Sequence, residues 1–162
     1  MKVATKAYGL IDVDMRQRLF FPQGLFGFES LKDYILLDAE QQPYYWLQSM
    51  ESAATAFILI SPFLFRPDYV LDINDAELAE IGISSPEAAL IFSIVTVPAD
   101  DSAVTANLQG PIVINTETRM AKQIILGDTK WKTKHDIMQE LASVKPDLKP
   151  EFADLSADGS PC

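Results

Sequence analysis

Short apolar runs recur along this chain every ~8–15 residues, with turn-forming residues between them. The clearest runs are residues 34–37, 56–60, 88–97 and 112–115. Such runs are typical of half-buried or buried strands, and only one convincing helical pattern interrupts them before His135. The spacing therefore predicts a mainly β chain that folds as an antiparallel barrel or sandwich-like single domain with one or two short helices.

Two segments have helical patterns. Residues 74–81 begin at Asn74, a favoured N-cap residue, and Gly82 ends the pattern. Residues 133–141 form the second, with apolar side chains on one side. The shorter predicted elements are strands at residues 10–13, 16–21, 44–50, 70–73 and 120–126 and a helical turn at residues 29–33.

The predicted domain organisation is one β domain over residues 1–143, followed by a C-terminal tail over residues 144–162. A length of 162 residues falls within the usual range of a single domain. The tail carries three prolines and a glycine among scattered charges. We therefore expect it to be flexible in the free protein.

Residues 18–29 form an unusually apolar corner, in which four aromatic side chains crowd around Gly24 and Gly27. Its apolar surface does not suit a solvated loop, and its glycine and proline content does not suit a helix. Three phenylalanines of the corner are expected to be buried under the sheet: Phe20, Phe21 and Phe28. On this hypothesis the two glycines set the bend and only Glu29 reaches a partner. Replacing Gly27 with valine then harms folding before it harms binding.

The chain carries 13 Lys and Arg against 23 Asp and Glu, which gives a formal charge of −10. A basic stripe for phosphates is not expected, and nucleic acid is repelled overall. Two interpretations stay open: the charge serves solubility, or it forms an acidic face for a basic protein partner. Cys162 is the only cysteine, so neither a disulfide nor a zinc cluster is expected. No signal peptide and no apolar run of ~20 residues is visible, so we expect a cytoplasmic protein with no membrane segment.

Catalytic patterns are nearly absent from the sequence. His135 is the only histidine, and we interpret it as a surface residue of the second predicted helix rather than a general base. Asp100 and Asp101 have no third acid at the spacing of a cation site. Residues 24–27 lack the Lys-Ser/Thr that follows in a phosphate-binding loop. We therefore expect no enzyme activity and no cofactor.

Residues 21–29, Phe-Pro-Gln-Gly-Leu-Phe-Gly-Phe-Glu, resemble the F-x-x-G-x-x-G-F-E signature of the flagellar assembly factor FliW family. Further stretches resemble that family in the same order: residues 46–49, 62–69, 94–98, 105–115 and 119–126. Each motif alone is weak, but the ordered set is specific and extends over residues 10–128. Phe26 stands where the family commonly has proline, and Gly110 where alanine is common. The first departure leaves the turn type of the corner open.

The resemblance implies a non-enzymatic cytoplasmic regulator with a β-barrel-like domain and two alternative protein partners. One partner is newly made flagellin, which is bound at its C-terminal region and protected before export. The other is CsrA, an RNA-binding dimer that represses flagellin translation. When flagellin is exported, the freed factor binds CsrA away from its main RNA contacts and relieves the repression. We expect the free protein to be a monomer. The alternative is an acidic β-domain scaffold or secretion chaperone without a translational role.

Ten residues are candidates for contact with a partner: Glu29, Tyr45, Trp46, Gln48, Ser49, Phe65, Asp72, Asp75, Glu77 and Asn107. The aromatic members would line a groove for an amphipathic segment, although aromatics on strands are more often core residues. The uncharged polar members either contact a partner or bond to local backbone. The acids on or beside the first predicted helix form either an acidic binding face or a solvated one.

Overall fold

A computed structural model describes residues 1–100 and 102–144 of the chain. The strands are β1 (Lys2–Thr5), β2 (Gly9–Asp12), β3 (Arg18–Phe20), β4 (Asp33–Asp38), β5 (Tyr45–Ser49), β6 (Ala56–Ile60), β7 (Ala89–Thr96), β8 (Thr105–Ala106), β9 (Ile112–Asn115), β10 (Ala121–Gln123) and β11 (His135–Asp136). The helices are α1 (Asp75–Ala79) and α2 (Ile137–Ala142), and short 3-10 turns lie at Met15–Gln17, Pro62–Leu64 and Pro86–Ala88. The predicted fold class, mainly antiparallel β with short helices, is confirmed.

The main sheet closes on itself. Its strands follow the order β10-β9-β7-β6-β5-β4-β3, and β8 branches from it by pairing with β7 and β11. At the two ends of this path, Phe20 bridges Met120, and Phe20 N donates a hydrogen bond of 3.0 Å to Arg119 O. The end strands therefore meet as in a small barrel, and closure protects backbone groups that an open edge would expose.

Alternation along the strands sends every second side chain into the barrel. Leu47 on β5, Leu59 on β6 and Phe92 on β7 lie in one buried cluster. The other buried members are Leu19, Phe21, Leu25, Tyr34, Ile112, Ile114 and Ala121. Because these side chains fill the interior, a binding surface has to lie on the outside of the barrel.

Two separate covers lie on the outer face of the sheet. The β1–β2 hairpin packs Val3 and Val13 on Ile35 and Leu37 of β4. On the other side, residues 61–83 and α2 pack on β6, β7 and β9. Both faces of β5 are consequently covered along most of the strand, which agrees with the mixed pattern of residues 44–50.

The start and stop signals of α1 are confirmed. Asn74 Oδ1 accepts a hydrogen bond of 2.7 Å from Ala76 N, and Gly82 has a φ of +77° just after the helix. The second predicted helix is shorter than residues 133–141, because His135 and Asp136 pair with β8 as β11. In the described part of the chain, no helix has the length and apolarity needed to cross a membrane.

Two short predicted elements are wrong. Residues 70–73 keep a strand-like alternation, with Leu71 and Ile73 packed inward, but no strand within residues 1–100 and 102–144 pairs with them. Residues 29–33 do not form a helical turn, because the N–H groups of Lys32 and Asp33 donate to Glu51 Oε1 at 2.9 Å and lead directly into β4.

Val144, the first residue of the predicted tail, is only 6% exposed, and its N–H donates to Leu141 O at 3.2 Å. The rest of the predicted tail, residues 145–162, lies outside the described residues.

Candidate functional site

A cleft of about 380 Å³ lies on the outer face of the sheet, between the hairpin cover and the residues that follow β7. Its floor is Trp46 of β5 and Ile58 of β6, which are directly paired across the two strands. The other lining residues are Ala7, Tyr8, Ala39, Glu40, Gln41, Tyr44, Val97 and Val104. We call this feature the Trp46 cleft. Because Trp46 and Ile58 alternate with inward-facing neighbours, the floor is an apolar surface turned towards solvent.

Two hydrogen bonds hold the hairpin wall of the Trp46 cleft. Lys6 N donates to Gln48 Oε1 at 2.8 Å, and Glu40 N donates to Tyr8 Oη at 3.0 Å. Gln48 is buried, and its Nε2 donates to backbone carbonyls around the β5–β6 turn. In this structure the buried amide positions the wall, and contact of Gln48 with a partner stays a prediction.

One acidic residue, Glu40, lines the Trp46 cleft, and it is exposed in the turn that follows β4. Among residues 1–100 and 102–144, its carboxylate forms no ion pair. Asp38 is paired with Tyr45, so it lies on the opposite face of the sheet from Trp46. The cleft thus combines an apolar floor with one acidic residue in its lining.

The three predicted aromatic contact residues separate in the structure. Trp46 lies in the cleft, as a groove residue should. Tyr45 is on the opposite face of β5 and packs on Phe92, with ring centroids 5.0 Å apart. Phe65 is 1% exposed and belongs to the core beneath the second cover. Alternation and burial thus turn Tyr45 and Phe65 inward in this structure, and their contact with a partner stays a prediction.

Ser49 and Asn107 bond to local backbone. Ser49 is fully buried, and its Oγ accepts from the N–H groups of residues 51 and 52 at 3.1 Å. Asn107 Oδ1 accepts from the N–H groups of residues 109 and 110 at 3.0 and 2.9 Å. Both side chains stabilise turns, so the local interpretation holds over partner contact in this structure.

The acidic residues of α1 are partly neutralised. Lys122 Nζ on β10 lies 3.6 Å from Glu77 Oε2 and 2.8 Å from Glu80 Oε1. The hydrogen bond from Lys122 lowers the pKa of Glu80. Asp72 and Asp75 are exposed, and neither is ion-paired within the described residues. The helix therefore presents a weaker acidic face than the sequence indicates.

The two glycines of the corner are confirmed as its bend but differ in constraint. Gly24 and Gly27 have φ values of +67° and +88°. A Cβ at Gly24 would lie 2.7 Å from Glu29 Cα, whereas a Cβ at Gly27 would meet nothing within 4 Å. Glu29 is exposed, and its Oε2 accepts from Gly27 N at 3.1 Å. Gly24 is thus constrained by both conformation and space, and Gly27 by conformation alone.

The corner phenylalanines are less buried than predicted. Phe21 is buried, but three others are partly exposed: Phe20 at 38%, Phe26 at 58% and Phe28 at 40%. Phe20 points outward because it alternates with buried Leu19, and Phe28 packs at a steep angle against Phe57, with ring centroids 5.1 Å apart, while 40% of it stays exposed. The expected burial of Phe20 and Phe28 is therefore wrong.

A second aromatic region involves Trp131 beneath charged residues, and sequence patterns do not identify it. Arg66 Cζ and Lys130 Nζ lie 4.7 and 4.9 Å from the Trp131 ring centroid. Tyr69 packs edge-on against the same ring at 4.7 Å. The region also includes Asp68, His135 and Glu140, and we call these seven residues the Trp131 clamp.

The charges of the Trp131 clamp are paired with one another. Arg66 donates to both oxygens of Asp68 at 2.8 Å and to Glu140 Oε1 at 2.9 Å, and Lys130 Nζ lies 3.2 Å from Asp68 Oδ2. The hydrogen bond from Arg66 lowers the pKa of Asp68 well below its usual range, and Lys130 adds to the shift. Burial opposes ionisation of Glu140, but hydrogen bonds from His135 and Arg66 outweigh it and lower its pKa.

His135 is not a surface residue of a helix, which corrects its sequence interpretation. Its side chain is 9% exposed, its Nε2 accepts from Lys132 N at 2.8 Å, and its Nδ1 lies 2.6 Å from Glu140 Oε1. The backbone donor at Nε2 places the imidazole proton on Nδ1. His135 thus joins β11 to α2. Among the described residues, no group of three or more His, Cys, Asp or Glu side chains is placed to bind a metal.

Sequence patterns also leave the walls of the Trp46 cleft unidentified. Residues 56–60 and 88–97 are apolar on both faces, whereas only one face of each strand lines the interior. The second apolar face therefore signals an outer surface that is covered or bound. The signal does not reveal which part stays open, because Tyr8 and Val104 reach the cleft from distant segments.

The sequence model of the FliW protein family matches residues 2–137, a range that contains every residue of the Trp46 cleft. Flagellar assembly factor FliW of Treponema denticola is 48% identical over 141 residues, which cover 87% of this chain and 96% of that protein. The protein of the same name from Leptospira biflexa is 43% identical over 148 residues, covering 88% and 97%. A crystal structure of the flagellar assembly factor FliW matches with a TM-score of 0.77 and 40% identity, over 85% of this chain and 96% of its own.

Proposed function

The chain belongs to the FliW family of flagellar assembly factors, and we propose that it acts by exchanging two protein partners. In one complex it binds the C-terminal region of newly made flagellin and protects it before export. In the other it binds CsrA and relieves repression of flagellin synthesis. The factor works in the cytoplasm as a binding protein without catalysis.

The observation that carries this proposal is the Trp46 cleft. An open apolar floor of Trp46 and Ile58 favours capture of an apolar side chain, because such contacts bury surface that water otherwise hydrates. The carboxylate of Glu40 in its lining, which forms no ion pair among the described residues, favours a partner with basic residues. A protein whose surface combines both features is suited to protein recognition.

The overall charge supports CsrA as one of the partners. A repressor that binds RNA has to present cationic surface, and a chain with a formal charge of −10 is attracted to it. The same charge opposes phosphates bound to the repressor. Export of flagellin then frees the factor, which shifts to the repressor by mass action.

Binding measurements with purified proteins test the exchange. Titration calorimetry with flagellin and with CsrA should give two complexes, and each partner should displace the other. We expect higher salt to weaken the CsrA complex more than the flagellin complex, since the former depends more on charge. If neither complex forms at micromolar concentration in low salt, the proposal is wrong. A chain that binds flagellin but not CsrA acts instead as a secretion chaperone without a translational role.

A further inference from the structure

We propose that Arg119 binds the carboxylate of an Asp or Glu side chain of flagellin, in a pocket beside the closure of the barrel. This inference rests on the proposed function, because it assigns one of the two partners to a particular site. The pocket lies between the 3-10 turn at Met15–Gln17 and the turn that joins β9 to β10. It has a volume of about 460 Å³ and is lined by Asp14, Arg16, Gln17, Leu36 and Arg119. We call it the Arg119 pocket.

Of the two arginines that line the Arg119 pocket, only Arg16 is neutralised. Arg16 Nη2 lies 2.9 Å from Asp14 Oδ2, and Arg16 Nε donates to Asp14 Oδ1 at 3.2 Å. Hydrogen bonds from Arg16 lower the pKa of Asp14 to about 2. Arg119 is exposed and forms no ion pair within residues 1–100 and 102–144. The lining residues therefore carry a net positive charge, in a chain whose formal charge is −10.

The backbone of Arg119 has a conformation that favours glycine. Its φ is +66°, in the left-handed region where a Cβ atom is crowded by the backbone. Among the described residues, Arg119 is the only residue other than glycine with a φ in this region. The turn itself would be less strained with glycine or asparagine. Strain of this kind is typical of positions whose side chain serves a function, which here is the unpaired guanidinium.

The surrounding turn fixes the position from which the Arg119 side chain extends. Arg119 N donates to Asn115 O at 2.8 Å, and Arg119 O accepts from Phe20 N at 3.0 Å. Asn115 is buried, and its Oδ1 accepts from the N–H groups of Glu117 and Thr118 at 2.9 and 3.2 Å. Because the backbone is already held, less entropy is lost when the guanidinium binds a partner.

A carboxylate is the group that suits the Arg119 pocket. The planar guanidinium presents N–H donors in a fork that matches the two oxygens of a carboxylate. Leu36 is half-buried and packs on the interior cluster, so it offers an apolar surface to the methylene groups of an Asp or Glu side chain. One unpaired cation does not hold a nucleic acid on a chain of this overall charge.

Charge assigns the Arg119 pocket to flagellin rather than to CsrA. CsrA is the cationic partner in the proposed exchange, and an unpaired guanidinium repels a basic surface. An acidic side chain of flagellin is attracted to the same group. The two complexes should therefore respond differently when the cation of the pocket is removed.

Arg119→Gly and Arg119→Asn test the pocket, because both new residues fit the left-handed backbone. We expect each variant to weaken flagellin binding ~5- to 30-fold, through loss of a charge-assisted hydrogen-bonded pair. Binding of CsrA should stay within ~2-fold of the wild type. Arg119→Lys should give an intermediate affinity for flagellin, since it keeps the charge but not the fork. Titration calorimetry with purified flagellin and CsrA provides the measurement.

Lys134→Gln is the charge-matched control. Lys134 is exposed, lies outside the lining of the pocket and forms no ion pair in the described part of the chain. The control removes one positive charge, as Arg119→Gly does, and should bind flagellin like the wild type. Thermal melting of Arg119→Gly should show a midpoint ~1–3 °C above that of the wild type, because backbone strain is relieved.

The outcomes separate this inference from the proposed function. If the wild type does not bind flagellin, the proposed function fails. If the wild type binds flagellin and both Arg119→Gly and Arg119→Asn bind it equally well, the role of the pocket is wrong. Equal weakening by Lys134→Gln would mean that net charge acts instead of the pocket. Weaker CsrA binding in both Arg119 variants would overturn the assignment to flagellin, and a lower melting midpoint of Arg119→Gly would mean that the arginine serves the fold.

Discussion

The Trp46 cleft and the Trp131 clamp are built from the same kinds of residue and differ in how their charges are used. Each has a tryptophan on the outer side of the sheet, tyrosine beside it and acidic residues nearby. In the clamp, Arg66 and Lys130 contact the Trp131 ring and pair with Asp68 and Glu140. In the cleft, the tryptophan faces open space and the Glu40 carboxylate has no ion-pair partner among the described residues.

This difference separates a structural surface from one that is available to a partner. In the clamp, the ion pairs hold the second cover on the sheet, and little interaction capacity remains for another protein. In the cleft, both the apolar area and the charges remain unused within the described chain. An aromatic residue near acidic residues thus predicts binding only where those acidic residues have no ion-pair partner within the protein.

Replacing each tryptophan with alanine should produce the largest contrast. Trp131 is buried, so Trp131→Ala is expected to lower the free energy of unfolding by ~3–5 kcal/mol. Trp46 is only half buried, and Trp46→Ala should cost about 1–2 kcal/mol. Denaturation by urea, followed by circular dichroism, measures both. Equal losses would remove the structural distinction between the two regions.

Acid should weaken the clamp. The pKa values of Asp68 and Glu140 are lowered in the folded protein, so their contribution is complete above their ordinary values of 3.8 and 4.5. It is lost as the pH falls through the lower folded-state values. Because Asp68 is half exposed, we expect a loss of at most about 1 kcal/mol. Unfolding free energies measured between pH 6 and pH 3 should decline less steeply in Glu140→Gln than in the wild type. Parallel curves for the two proteins would count against the clamp.

Removing charge from the cleft should have the smallest effect on folding. Glu40→Gln takes away a carboxylate that forms no ion pair in the described part of the chain. We expect it to change the free energy of unfolding by less than ~0.5 kcal/mol. Urea denaturation of this variant beside Glu140→Gln provides the measurement. A larger loss would mean that the acidic residue of the cleft serves stability, as the clamp does.

Local patterns were sufficient for the strands and for much of their packing. Residues 56–60 and 112–115 are apolar runs between turn residues, and both are strands with the predicted limits. Asn74 marks the start of α1 by accepting a hydrogen bond from Ala76 N, and Gly82 follows the end of the helix with a positive φ. The corner between β3 and β4 bends at its two glycines, because only glycine adopts their positive φ values without strain.

Local patterns failed where the secondary structure depends on whether a segment distant in sequence pairs with the residues. Residues 70–73 alternate like a strand, yet none of the described strands pairs with them, and pairing requires a neighbour that the local sequence does not reveal. Residues 133–136 have a helical pattern, but β8 pairs with His135 and Asp136 and delays the helix. Phe20 belongs to an apolar corner but lies on the outward side of β3.

The amino-acid sequence by itself determined that the chain is mainly β, acidic overall and marked by an ordered set of motifs, because strand periodicity, charge and motifs are properties of neighbouring residues. Only the tertiary structure decided which of its similar side chains stay available. Gln48 bonds a residue 42 positions away, and Arg66 pairs with Glu140 across 74 positions. Such pairings depend on how the sheet brings distant segments together. The same folding leaves Trp46 and Glu40 beside an open cleft and closes the surface around Trp131.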